Sequence, residues 1–86
     1  MKLKKGFVLS SVAGETVVLP TEDVVDLNVM ITLNETAKFL WEHLEEETDL
    51  DGLVAALLSE YEVDAETARF HAAAFVKKLE DNGLLE

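Results

Sequence analysis

The chain of 86 residues is long enough for one domain, near the lower limit of what a single hydrophobic core stabilises. Hydrophobic residues make up 49% of it, which argues against disorder, and the absence of cysteine excludes disulfides, thiolate metal sites and cysteine redox chemistry. Eighteen acidic residues against seven Lys and Arg give a net charge of −11, which argues against nucleic acid and anionic membranes as partners.

The first third of the chain has the pattern of β structure. Two short runs, residues 7–11 and 15–19, flank the turn signal Ala13-Gly14 and predict a hairpin. A turn is predicted over residues 20–23 and a third strand within residues 24–33. In that third strand Leu27, Val29, Ile31 and Leu33 alternate with Asn28, Met30 and Thr32.

The hydrophobic period then changes to that of helices. Asn34 predicts the N-cap of a first helix, and the acidic run 45–47 should end it, because carboxylates oppose the dipole at a helix C-terminus. Thr48 or Asp49 should cap a second helix. The predicted buried faces are Ala37, Leu40, Trp41 and Leu44 in the first helix, and Leu50, Leu53, Val54, Leu57, Leu58 and Tyr61 in the second.

A third helix is predicted from the N-cap Asp64 to about Asn82, with Gly83 as the residue that ends it. Its predicted core face is Ala68, Ala72, Phe75, Val76 and Leu79. Leu84 and Leu85 should fold back onto the body, and the lysines at the start of the chain should solvate the lead into the first strand. Three strands followed by three helices predict one α+β domain over residues 1–86.

The sequence contains no motif of catalysis or metal binding. His43 and His71 lie on different predicted helices, which favours solvated side chains over a metal site. The acidic clusters fall at helix ends and in loops, whereas a general acid needs a partly buried carboxyl group. No Gly-x-Ser-x-Gly motif and no glycine-rich phosphate loop is present. We expect no enzymatic activity, no catalytic residue, no metal and no cofactor.

Two features of the chain could bind a partner. On the third helix, Phe70 falls opposite the core face beside Ala73, Ala74 and Lys77, which predicts a shallow apolar groove. The alternative is that this helix is buried on two sides and Phe70 packs against the sheet. If the third strand lies at a sheet edge, it is a template for an incoming peptide strand. The alternatives there are a solvated edge, or one that pairs with a second copy to form a homodimer.

Charge alone gives two interpretations of the partner. An acidic surface attracts a neutral or basic peptide or protein. The same surface could simply keep a small domain soluble. No apolar run approaches the roughly 20 residues of a membrane span, and the lack of cysteine is compatible with a cytoplasmic location, which we expect.

The order of three strands and the segments "LNETAKFLWEHL", "TDLDGLVAALLSEYEVD" and "ETARFHAAAFVKKLEDNGLLE" resembles the PqqD-like family, the recognition elements of ribosomally made and modified peptides (RiPPs). The resemblance covers about residues 7–86. Its most specific pieces are residues 33–37 with Trp41, and the closing Phe75, Leu79, Gly83, Leu84 and Leu85.

The resemblance implies a winged-helix-like α+β fold, with a three-stranded antiparallel sheet followed by a three-helix bundle. It implies a non-catalytic peptide chaperone, which binds the leader segment of a precursor peptide by β-strand addition and presents it to a modifying enzyme, often a radical SAM protein. The residues it assigns to peptide binding are Asn28, Val29, Met30, Ile31, Thr32 and Leu33 on the third strand, and Phe70, Ala73, Ala74 and Lys77 on the third helix.

Two segments depart from the members that serve synthesis of pyrroloquinoline quinone (PQQ). Residues 20–23 replace a Pro-Glu-Gly-like turn, and residues 45–48 replace a glycine before the second helix. These departures favour a relative that works on another peptide, and lasso-peptide recognition proteins share much of the pattern. A dimerisation domain without a peptide ligand remains an alternative. A winged-helix DNA-binding regulator is disfavoured, because acids outweigh bases on the third helix.

Overall fold

A computed structural model describes residues 1–21 and 31–86 of the chain. In this part a three-stranded antiparallel sheet precedes three helices. The elements are β1 (Phe7–Val12), β2 (Glu15–Pro20), β3 (Ile31–Leu33), α1 (Glu35–Leu44), α2 (Leu50–Glu60) and α3 (Ala65–Asp81).

The predicted hairpin is present as β1 and β2. Val12 and Glu15 are paired, so only Ala13 and Gly14 form the loop, and their φ angles are 52° and 83°. Positive φ at both loop residues is the geometry whose twist matches that of the flanking strands. The prediction that Pro20 belongs to the following turn is wrong, because Pro20 is the last residue of β2 and lies opposite Phe7.

Among the described residues the sheet has the order β1-β2-β3, so β3 is an edge strand of this part of the chain. Val18 lies opposite Ile31, and Thr16 opposite Leu33. Ile31 and Leu33 are buried and Thr32 is exposed, which confirms the predicted alternation for these residues. The earlier part of the predicted third strand lies outside the described residues.

All three predicted N-caps are confirmed. The side-chain oxygens of Asn34, Asp49 and Asp64 accept hydrogen bonds from backbone N–H groups three residues later, at 2.8, 2.7 and 2.6 Å. These bonds satisfy amides that have no partner inside the helix. At the other end, α1 stops at Leu44, directly before the acidic run, and Gly83 follows α3 with a φ of 70°.

The core lies between one face of the sheet and the three helices. Its fully buried side chains include Val18, Leu40, Leu44, Leu53, Leu57, Leu79 and Leu84. One predicted core residue is wrong: Leu58 is 41% exposed. It follows Leu57 by about 100° of helical rotation, which carries it past the margin of the buried stripe and into solvent.

The N-terminal segment belongs to the core, a role that the sequence did not indicate. Leu3 is buried, and its backbone N–H donates to the Leu44 carbonyl oxygen at 3.0 Å. Leu3 also forms an antiparallel bridge with Leu85, next to the fully buried Leu84. The predicted folding back of Leu84 and Leu85 is therefore confirmed. None of the helices in the described part is long and apolar enough to cross a membrane.

Candidate functional site

A cleft of about 230 Å³ lies between the end of β3, the start of α1 and one flank of α3. Asn34 joins two of these elements, because it follows β3, caps α1 and lines the cleft. The cleft is lined by Thr32, Leu33, Asn34, Thr36, Ala37, Leu40, His71, Ala74, Phe75 and Lys78. A strand edge and a helix flank thus face the same open space.

The strand side of the cleft can form hydrogen bonds with a ligand. β3 pairs with β2 on one side, and no described residue pairs with it on the other. The backbone N–H and C=O groups that point away from β2 are therefore a template for another strand. Thr32, whose side chain is exposed, and Leu33 extend from this strand into the lining of the cleft.

The helix side of the cleft is one stripe of α3. His71, Ala74, Phe75 and Lys78 follow spacings of three, four and seven, so they lie on one face of the helix. Phe75 is buried and Ala74 is exposed. The small side chain of Ala74 leaves room for a ligand backbone to approach, while Leu33, Leu40 and Phe75 give the cleft an apolar floor.

Of the four helix residues predicted to bind a peptide, only Ala74 lines this cleft. Phe70, Ala73 and Lys77 lie on the neighbouring exposed stripe. Phe70 is 70% exposed and its ring centroid lies 5.7 Å from that of His71, so the alternative in which it packs against the sheet is wrong. The role of all four side chains in peptide binding stays a prediction.

Of the predicted strand residues, Thr32 and Leu33 line the cleft, whereas the buried Ile31 does not. Asn28, Val29 and Met30 lie outside the described residues. Sequence reasoning missed seven lining residues: Asn34, Thr36, Ala37, Leu40, His71, Phe75 and Lys78. Their only sequence signal is the helical spacing of His71, Phe75 and Lys78 along one flank of α3.

The basic side chains of α3 differ in whether a carboxylate lies beside them. The Arg69 guanidinium lies 2.8 Å from an Asp51 carboxylate oxygen, and the Lys77 ammonium lies 3.4 Å from that of Asp81. Both pairs are largely exposed. Lys78, at the edge of the cleft, forms no ion pair with a described residue. A cation without a described counter-ion thus lies beside the apolar floor.

The described residues do not form a candidate metal site. They contain no group of three or more His, Asp or Glu side chains that could hold a metal ion. The pKa of the Asp64 carboxyl group is lowered, mainly by a hydrogen bond from the Thr67 hydroxyl and to a smaller extent by one from the Thr67 backbone amide. The role of Asp64 as the cap of α3 explains this lowered pKa.

Comparison with known proteins identifies the family. The family model described as coenzyme PQQ synthesis protein D (PqqD) matches residues 15–85. The chain belongs to the PqqD family. This membership confirms the resemblance seen in the three helical segments and the preceding strands. No curated protein matches the chain.

Two solved structures are similar over nearly the whole chain. TbiB1 in complex with the TbiA(beta) leader peptide is 27% identical, with a TM-score of 0.76 over 100% of this chain and 95% of that one. Lasso peptide synthetase B1 complexed with the leader peptide is 25% identical, with a TM-score of 0.72 over 96% of this chain and 93% of that one. The predicted α+β fold of a three-stranded antiparallel sheet followed by three helices is confirmed.

Proposed function

We propose that this PqqD-family protein binds the leader segment of a ribosomally made precursor peptide and presents it to a modifying enzyme. The leader adds as a strand to the free edge of β3 and lies in the cleft against α3. Backbone hydrogen bonds to β3 supply affinity, and side chains that enter the cleft supply specificity, as in other cases of strand addition.

The observation that carries this proposal is the position of the free edge of β3 beside the cleft. Along α3, the lining residues His71 and Lys78 are seven positions apart, which corresponds to about 10 Å at 1.5 Å per residue. An extended peptide covers that length with about three residues at roughly 3.3 Å each. The cleft is therefore long enough for a short segment of extended chain.

The two similar structures support the choice of ligand. Both hold a leader peptide, and both match this chain over more than nine tenths of its length. A leader peptide in the cleft of this protein would be shielded from solvent on one side by Ala74 and Phe75. This gives the free strand edge a ligand of defined chemistry.

In this proposal the protein has no catalytic step of its own. It raises the local concentration of the precursor at the modifying enzyme, because a bound leader confines the rest of the precursor near that enzyme. A radical SAM protein is one class of such enzyme. Ribosomal synthesis of the precursor places this encounter in the cytoplasm.

An NMR titration tests the proposal. The leader segment of a candidate precursor peptide, sought among the genes near this one, is added to the ¹⁵N-labelled protein, and a scrambled peptide of the same composition is the control. We expect the largest amide shifts at Ile31–Leu33 and at the cleft-facing residues of α3, with saturation by the leader alone. Shifts confined to β1 and α2, or equal responses to both peptides, would contradict the site.

A homodimer is a second candidate, favoured by the other edge of the sheet. β1 is also an edge strand, and its sequence FVLSSV carries no charge that would oppose pairing with a second copy. Sedimentation equilibrium of the protein alone separates this candidate from leader binding. A monomer at all concentrations that still binds the leader would exclude the dimer as a requirement.

A further inference from the structure

The charge of the cleft is opposite to that of the protein. Acidic residues outnumber Lys and Arg by 18 to 7 in the chain, yet none of the ten described residues that line the cleft is Asp or Glu. The charged residue among them is Lys78, and His71 lies two helical turns away on the same face. The overall charge favours a basic partner, whereas the cleft itself favours an acidic one.

Lys78 differs from the other basic residues of α3 in having no carboxylate partner among the described residues. Arg69 and Lys77 already have carboxylates within 4 Å, and both lie outside the cleft lining. The Lys78 side chain is exposed and has no ion pair with a described residue. Its ammonium group carries three donors on a flexible stem, which suits a carboxylate that approaches from the cleft.

The apolar floor of the cleft indicates that the ligand also has an apolar residue near this carboxylate. Ala74 and Phe75 lie about one helical turn from Lys78 on the same face of α3, a distance of about 5.4 Å. In an extended peptide, residues i and i+2 point to the same side and are about 6.6 Å apart, at roughly 3.3 Å per residue. A peptide with an apolar residue over Phe75 would thus bring the side chain two positions away to Lys78.

We infer that the cleft selects a leader segment in which an apolar residue and an Asp or Glu are two positions apart, with Lys78 holding the carboxylate. The inference rests on the proposed function and adds the side-chain pattern of the ligand. Lys78 acts as a specificity residue, and the protein's net charge of −11 opposes any acidic peptide that lacks this contact. At physiological salt that general repulsion is screened beyond about 8 Å, whereas the contact itself is screened less.

The test is a double-mutant cycle between peptide and protein. The probes are twelve-residue peptides with blocked ends, in which Val and Thr alternate around one central Leu. Glu, Gln or Lys replaces the residue two positions before this Leu in one set of peptides, and the residue two positions after it in a second set. Each is titrated by NMR into the parent protein, into Lys78→Gln and into Lys38→Gln. Lys38 is the matched control, because it is an exposed lysine on α1 that lies outside the cleft lining and, like Lys78, forms no ion pair with a described residue.

We expect the Glu peptide to bind the parent protein about fivefold more tightly than the Gln peptide, the upper range for an exposed ion pair. Lys78→Gln should remove this preference and Lys38→Gln should retain it. Equal binding of the Glu and Gln peptides, tighter binding of the Lys peptide, or an equal effect of the two variants would overturn the inference and leave strand addition standing. If no probe shifts the amides of β3, the inference and strand addition to β3 fail together.

Discussion

Phe70→Ala separates a docking role from a structural one. Phe70 is 70% exposed, and an aromatic side chain presents roughly 200 Å² of surface, so about 140 Å² is free to be covered. Phe70 lies outside the cleft lining, but its ring centroid is 5.7 Å from that of His71, which lines the cleft. A leader that continues from the cleft past His71 and covers half of the free Phe70 area would bury about 70 Å², worth about 1.7 kcal/mol at roughly 25 cal/mol per Å². We therefore expect leader binding to weaken about 20-fold.

The same substitution should leave the free energy of unfolding within about 0.5 kcal/mol of the parent value, because exposed positions contribute little and Ala favours a helix. Isothermal titration calorimetry with the leader gives the dissociation constant, and urea unfolding gives the stability. Leu58→Ala is the control, since Leu58 is exposed on α2 and lies outside the cleft lining. A Phe70→Ala protein that binds the leader as tightly as the parent would refute the peptide contact, and one that unfolds much more easily would refute the exposed position.

Three further predictions concern the cleft, the core and one helix cap. Ala74→Phe should fill the cleft and weaken leader binding about 5- to 150-fold in fluorescence anisotropy, which corresponds to the roughly 1–3 kcal/mol typical of overpacking, whereas Ala73→Phe should weaken it less. Leu84→Ala should lower the free energy of unfolding in urea by about 2–5 kcal/mol, because this side chain is fully buried. The lowered pKa of Asp64 stabilises α3 at pH values above its ordinary 3.8, and this contribution is lost as the pH falls through the lower folded-state pKa. Over that fall, the protection of the Thr67 amide from hydrogen exchange, measured against an unstructured peptide at the same pH, should decrease in the parent but not in Asp64→Asn.

Each of these predictions has a distinct contradicting result. A greater loss with Ala73→Phe than with Ala74→Phe would mean that the peptide lies over the outer stripe of α3. A Leu84→Ala protein as stable as the parent would show that the C-terminal segment does not complete the core. If the Thr67 amide responds to acid alike with Asp64 or Asn at the cap, the pH dependence arises elsewhere in the domain.

The secondary structure could be predicted because local patterns determine it. Asn34, Asp49 and Asp64 accept hydrogen bonds from amides three residues later, and the period of the apolar residues after each cap indicates which face is buried. The turn at Ala13-Gly14 is equally local. Such features need no knowledge of which element lies across the core.

The packing of distant segments could not be predicted in this way. Leu3 is buried because it pairs with Leu85, 82 positions later, and a single leucine among lysines gives no periodic signal. The prediction that Leu58 is buried is wrong for a related reason, since the sequence indicates which side of a helix is buried but not how wide the buried stripe is. The burial of Leu3 and the exposure of Leu58 both depend on which neighbouring element covers the side chain.

The cleft was only partly predicted, because it lies at the margin between core and solvent. Phe75 and Leu40 have the spacing of core residues, and His71 and Lys78 have that of surface residues, so neither pair suggests a shared site. Sequence reasoning placed the groove on the stripe opposite the core, around Phe70, whereas the structure places the cleft on the flank of α3 beside β3. That flank is defined only by the position of the strand.

In the proposed complex, Asn34 would connect occupancy of the cleft to the first turn of α1. Its side-chain oxygen accepts the Ala37 amide hydrogen that begins α1, and the same residue lines the cleft. The side-chain nitrogen carries two further hydrogens, and a guest carbonyl that accepts one of them would fix the oxygen in its capping position. Filling the cleft would then slow the exchange of the Ala37 amide with solvent deuterium, so the first turn of a helix records whether the neighbouring strand edge is occupied.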